Sequence, residues 1–181
     1  MKRILSLVLS LVIPLLLWGC KPSGLHTAGT TEATAALPTR EPTTQLEFFL
    51  EGMAEYQDAT LYTGDGYSLY ITDDGWLEIP GENGQMTWQS SYNPVISLTV
   101  IPNAGAIPRQ ATDAIFQGYT LSAQEGAYCY GHSADGLFYR AARLIETPNG
   151  ILAVTWDYSL EAAEGFGTRL RVIAGTLEIS N

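Results

Sequence analysis

Five dipeptides constrain this chain more than any other feature: Asp65-Gly66, Asp74-Gly75, Asn83-Gly84, Asp135-Gly136 and Asn149-Gly150. Asn or Asp followed by Gly suits the centre of a type I′ turn, which needs positive φ and whose twist matches that of two antiparallel strands. The first three pairs recur every nine residues. A segment punctuated in this way has no room for helices between its turns and is expected to form short antiparallel strands. The intervening runs 67–72, 76–79 and 85–89 are rich in β-branched and aromatic side chains. In 95–101 one face, Ile96, Leu98 and Val100, is wholly apolar, as in a half-buried strand. Residues 137–146 and 151–158 flank Asn149-Gly150 and give the clearest hairpin in the sequence.

Two stretches read as helix. Pro108 suits a first helical position, and Ala111, Ala114, Ile115, Gly118 and Tyr119 follow at three- and four-residue spacing. The second helix is expected to start with Ser159 as N-cap. Its apolar stripe is Ala163, Phe166, Leu170 and Ile173, and Gly175 is its stop. Glu161 and Glu164 stand near its start, Arg169 and Arg171 near its end, as the helix dipole prefers. Residues 45–63 fit two patterns. Thr44 and Glu47 match a capping box, with Leu46, Phe49, Leu50 and Met53 at helical spacing, yet Leu46, Phe48 and Leu50 also alternate. We read two strands around Gly52. The sum is an α+β fold, an antiparallel β-sheet of about six strands packed against two helices.

The N-terminus reads as an address. Lys2 and Arg3 precede an apolar run, 4–17, interrupted by Ser6, Ser10 and Pro14. That run is shorter than the roughly 20 residues of a membrane span and suits a signal peptide. It ends in Leu17-Trp18-Gly19-Cys20, which resembles the lipobox of bacterial lipoproteins. Leu17, Gly19 and Cys20 fit that pattern, and Trp18 stands where a small or β-branched residue is usual. The resemblance implies lipid attachment (diacylglycerol and an amide-linked chain such as palmitate) at Cys20. Several acyl chains suffice for stable anchoring, so the expected location is the extracytoplasmic face of the cell membrane. Residues 1–19 are then a signal peptide and 20–44, rich in Thr, Ala and Pro, a flexible tether that cannot offset its ordering entropy by burial. His26 lies in this tether with no second metal ligand nearby. Residues 45–181 form one domain, which holds every Tyr and Phe and three of the four Trp.

Gly66-Tyr67-Ser68-Leu69-Tyr70-Ile71, followed by Gly75-Trp76 and Trp88, is similar to the opening of PsbP-like domains. Uncharacterised lipoproteins of Gram-positive anaerobes have similar cores, with an apolar strand like 95–101 and an ending like 158–179. Members often have Pro where this chain has Thr72. The resemblance implies an α/β/α sandwich around an antiparallel sheet, and an accessory subunit that docks on larger complexes rather than a catalyst.

The residues themselves bound the chemistry. The net charge is −10, which argues against nucleic acid as a partner, since a phosphate backbone needs clustered Lys and Arg. It argues equally against polybasic adhesion to lipid. No cofactor fingerprint is present, and no metal site or catalytic group is assigned. His132, Ser133 and Asp135 hold the residue types of a triad, but adjacent His and Ser on a strand diverge, and we read a polar hairpin end. Cys129 has no cation within ten residues before it, nor after it until Arg140, and reads as a small packed residue. Asp73 and Asp74 lack the ligand spacing of a calcium loop. The aromatic meander Tyr67, Tyr70, Trp76, Trp88 and Tyr92 is the remaining candidate. The expected function is a membrane-tethered accessory or interaction module with a protein partner. The alternative is a glycan- or peptide-binding module that uses Trp76, Trp88 and Tyr92. A further alternative is an enzyme with a carboxylate pair.

Overall fold

The computed structural model describes residues 40–73 and 75–180. The expected signal peptide, Cys20, His26, Asp74 and most of the expected tether therefore lie outside the described residues. Eleven strands, not about six, form two antiparallel sheets. The smaller sheet contains β1 (Thr43–Leu50), β2 (Met53–Gly64), β3 (Tyr67–Thr72) and β11 (Glu178–Ile179), in that spatial order. The larger contains β4 (Trp76–Pro80), β5 (Met86–Ser90), β6 (Ser97–Gly105), β7 (Thr120–Glu125), β8 (Tyr128–His132), β9 (Phe138–Thr147) and β10 (Gly150–Ser159). Its order is β4-β5-β6-β10-β9-β8-β7.

The turns explain part of the excess. Of the four expected dipeptides that lie wholly within the described residues, only one has positive φ at both positions, Asn83 at 54° and Gly84 at 77°. Glu51-Gly52, at 51° and 81°, is a second such turn and joins β1 to β2. The strands read around Gly52 are therefore present, and the capping-box helix is not. The β9–β10 loop centres on Pro148-Asn149, since Gly150 already pairs with Thr147. Asp74-Gly75 joins strands in different sheets, so no hairpin forms there and the chain crosses between layers.

Two apolar layers result. The even residues Leu152, Val154 and Trp156 of β10 pack with Phe48, Leu69, Trp88 and Leu98, and with Leu170 and Ile173 of α2 (Thr168–Gly175). The odd residues Ile151 and Ala153 pack on the opposite face with Ala111 and Ile115 of α1 (Pro108–Ile115), as strand alternation requires. The larger sheet is thus covered by α1 on one face, and on the other by the small sheet together with α2. The α+β class expected from the sequence is therefore present, with the small sheet as an addition beside α2.

The second helix also departs from expectation. Ser159 makes no side-chain cap, and Leu160 N–H donates instead to the Leu137 carbonyl at 2.8 Å. A 3₁₀ turn (Leu160–Ala162) and a π turn (Ala163–Gly167) precede α2. Gly165 and Gly167 weaken α-helical winding. A Cβ at Gly167 would stand 3.2 Å from Cζ of Tyr158, so the glycine lets this wide turn lie against β10. Arg169 consequently falls in the first turn of α2, not near a helix C-terminus.

The ordered fold begins before Gln45. Thr43 and Thr44 pair with Thr60 and Ala59. Arg40 donates to the carbonyl and hydroxyl of Ser68 at 3.1 and 3.0 Å and lies over the Tyr70 ring. A polar, Thr-rich segment gives no periodic sign of such backbone pairing.

Candidate binding cleft at the sheet junction

The crossing from β3 to β4 opens a cleft of about 110 Å³ between the two sheets and α2. Gln57 and Thr72 line it from the small sheet, and Trp76 and Ser90 from the first hairpin of the large one. Gly75 and Tyr92 stand at the connections, and Phe166, Arg169 and Ile173 close the third side. Trp76 also borders a second hollow, of about 220 Å³, with Tyr62, Asp73, Glu78 and Trp88.

Local bonding fixes these side chains. The Trp76 indole N–H donates to Thr72 Oγ1 at 2.9 Å. Ser90 Oγ accepts from the backbone N–H groups of Tyr92 and Asn93, both at 3.3 Å. Ser91 N–H donates to the Gly75 carbonyl at 2.8 Å, which ties the β5–β6 loop to the crossing. Tyr92 is 75 % exposed. Arg169 Nη2 donates to both oxygens of Glu55, at 2.8 and 2.6 Å. Hydrogen bonds from Arg169 and then from Gln57 hold the Glu55 carboxyl below the usual carboxylate range. Arg169 Nε is buried, and no protein atom accepts from it.

The structure separates the three aromatics that the sequence grouped. Trp76 is half-buried, and it shares this cleft with the exposed Tyr92. Trp88 is 1 % exposed and meets the Tyr62 ring edge-on at 4.8 Å, so it is a core residue rather than part of an open surface. Tyr67 is likewise in the core. Arg169 was missed as a site residue. Its partner Glu55 lies 114 positions away, and the visible hint was that residues 45–181 contain no lysine and few arginines.

The other candidates have structural surroundings. Ser133 Oγ donates to Asp135, and Leu137 N–H donates to the same carboxylate, which holds Asp135 low. His132 Nδ1 faces the Ser133 carbonyl at 2.9 Å, so these residues close a loop rather than converge. Cys129 is fully buried beside Thr112. Asp73 accepts from Thr60 Oγ1 at 2.6 Å. Among the described residues no group of three His, Cys, Asp or Glu is placed to hold a metal ion. Among them, too, no helix is long and apolar enough to cross a membrane.

A family model described as "Domain of unknown function (DUF8580)" matches residues 40–103. That stretch includes the cleft residues from Gln57 to Tyr92 and ends before Phe166 and Arg169. No curated protein matches the chain. Among solved structures, it is similar to the solution structure of cyanobacterial PsbP (CyanoP) from Synechocystis sp. PCC 6803. The identity is 11 %, the TM-score is 0.45, and the match covers 67 % of this chain and 92 % of that one.

Proposed function

We propose that this protein is a lipid-anchored, extracytoplasmic accessory protein whose folded domain recognises a partner through the Trp76–Tyr92 cleft. The observation that carries the reading is the pairing of a tyrosine 75 % exposed with a half-buried tryptophan in a concave junction. Rigid aromatic side chains supply much contact area at low entropy cost. Loop residues held by a rigid scaffold are the usual carriers of recognition, and Tyr92 stands on a loop pinned at Ser90 and Ser91. The anchor reading rests on Lys2, Arg3, the apolar run and Gly19-Cys20.

A photo-crosslinking residue at position 92, in membranes of the native host, tests the site. We expect a discrete adduct that is lost with Trp76→Ala, and none from position 113 on α1, across the large sheet. Equal labelling from both positions, or none from 92, sinks the reading. Cys20→Ala tests the anchor: the protein should leave the membrane or remain unprocessed.

A further inference from the structure

We infer that the cleft takes the C-terminal carboxylate of an extended peptide, with Arg169 as the group that holds it. This rests on the cleft being the binding site. Arg169 is the cation lining the cleft, and Glu55 engages it through Nη2 alone. Its side chain stays 25 % exposed, and Nη1 makes no hydrogen bond among the described residues, so donors remain for a ligand. A guanidinium is matched best by a carboxylate. The Ser90 hydroxyl accepts two backbone N–H groups and keeps its own proton to donate. The aromatic faces of Trp76, Tyr92 and Phe166 leave room for the apolar part of a terminal residue.

The sheet topology points to a peptide rather than an acidic sugar. β4 is an outer strand of the large sheet, and Leu77 to Pro80 are exposed along it. An extended peptide can add to such an edge through main-chain hydrogen bonds, which a sugar cannot do. β4 begins at Trp76, in the cleft itself. A strand laid along it therefore reaches Arg169 with one end. A volume of about 110 Å³ suits a terminus better than continuing chain. The net charge of −10 opposes the approach of any anion, so recognition is short-ranged and depends on Arg169 contact.

Glu55 competes for the same guanidinium, and that gives the test a sign. The full chain in detergent is titrated with a short peptide of small residues bearing a free C-terminus, with its C-terminal amide, and with glucuronate. Tryptophan fluorescence reports binding. We expect saturable binding of the free acid, weakened about tenfold or more by amidation or by Arg169→Gln. Glu55→Gln should strengthen it severalfold by releasing the cation, although that variant loses a structural ion pair. A merely structural Arg169 would give a loss in both variants. Equal binding of acid and amide overturns the inference, as does binding of glucuronate without the peptide. If no probe binds while position 92 still crosslinks a partner, the carboxylate assignment fails and the cleft reading stands. If both fail, the cleft reading falls too.

Discussion

Tyr92 lies against Gly75 so closely that a Cβ on the glycine would come within 2.5 Å of Cε2 of the ring. Gly75 also has φ of 80°, a conformation that costs an L-residue about 1–2 kcal/mol. Gly75→Ala should therefore lower stability by about that amount and push the ring out of place. Tyr92→Ala leaves the Gly75 backbone unstrained and should lower stability less than Gly75→Ala does. Denaturation and crosslinking together decide the point. If Gly75→Ala is neutral in both, the ring does not depend on this contact.

The N-terminal boundary has a direct consequence. A chain that begins at Gln45 loses the Arg40 bonds to Ser68 and the Tyr70 hydroxyl bond to the Glu41 carbonyl. It also loses the Leu61 N–H bond to the Pro42 carbonyl. At about 1 kcal/mol net for each of several bonds, the cost should be about 2–4 kcal/mol relative to a chain beginning at Arg40. Urea denaturation of the two chains measures it. Equal midpoints would show that these contacts add nothing in solution.

Both findings mark where the sequence was legible. The turn dipeptides placed β3, β4 and β5 within a residue or so, because each turn residue acts locally. They could not say that Asp74-Gly75 leads into another sheet. That depends on which faces find partners, and Trp88 and Leu69 meet only in the folded state. β7 was invisible because all six of its residues are exposed, so no alternation arises. In the cleft, Tyr92 and Trp76 were legible as aromatics among turns. Trp88 had the same local signature, and burial alone distinguishes it. Arg169 was hidden because its meaning comes from Glu55, far away in the sequence.

The Arg169–Glu55 pair predicts a pH dependence. The Glu55 carboxyl is held low chiefly by its hydrogen bond from Arg169, so the stability it contributes is present above the ordinary carboxylate pKa of about 4.3. It is lost as pH falls through the lower, folded-state value. The stability difference between the natural chain and Glu55→Gln should be constant from neutral pH to about 5 and shrink below about 4. Denaturation at stepped pH checks this. A difference that vanishes by pH 6 would mean that the pair does not hold the carboxylate in solution.

A second arginine pair, on the far face of the large sheet, should matter to the fold and not to the cleft. Arg140 meets Asp157 side-on, with Nε and Nη2 donating to the two carboxylate oxygens at 2.7 and 3.0 Å. Its Nη1 donates to the Ile115 carbonyl at 2.8 Å, at the end of α1, and its guanidinium lies 4.5 Å above the Tyr119 ring. One side chain thus ties β9, β10 and the helix end together. Both partners are largely shielded, at 27 % and 23 % exposure, so the pair is stronger than a surface salt bridge. Arg140→Ala strands the Asp157 carboxylate and the helix-end carbonyl together, and should cost about 3 kcal/mol. Asp157→Asn keeps an acceptor for Arg140 and should cost less. Cys129, fully buried beside Thr112 of α1, reports the same event chemically: a thiol reagent should label it faster in Arg140→Ala under native conditions. Peptide binding at the cleft should persist in that variant at temperatures where it stays folded. A loss below about 0.5 kcal/mol with unchanged labelling would place Arg140 among pairs of no consequence. A parallel loss of binding would show that the two faces of the sheet are coupled.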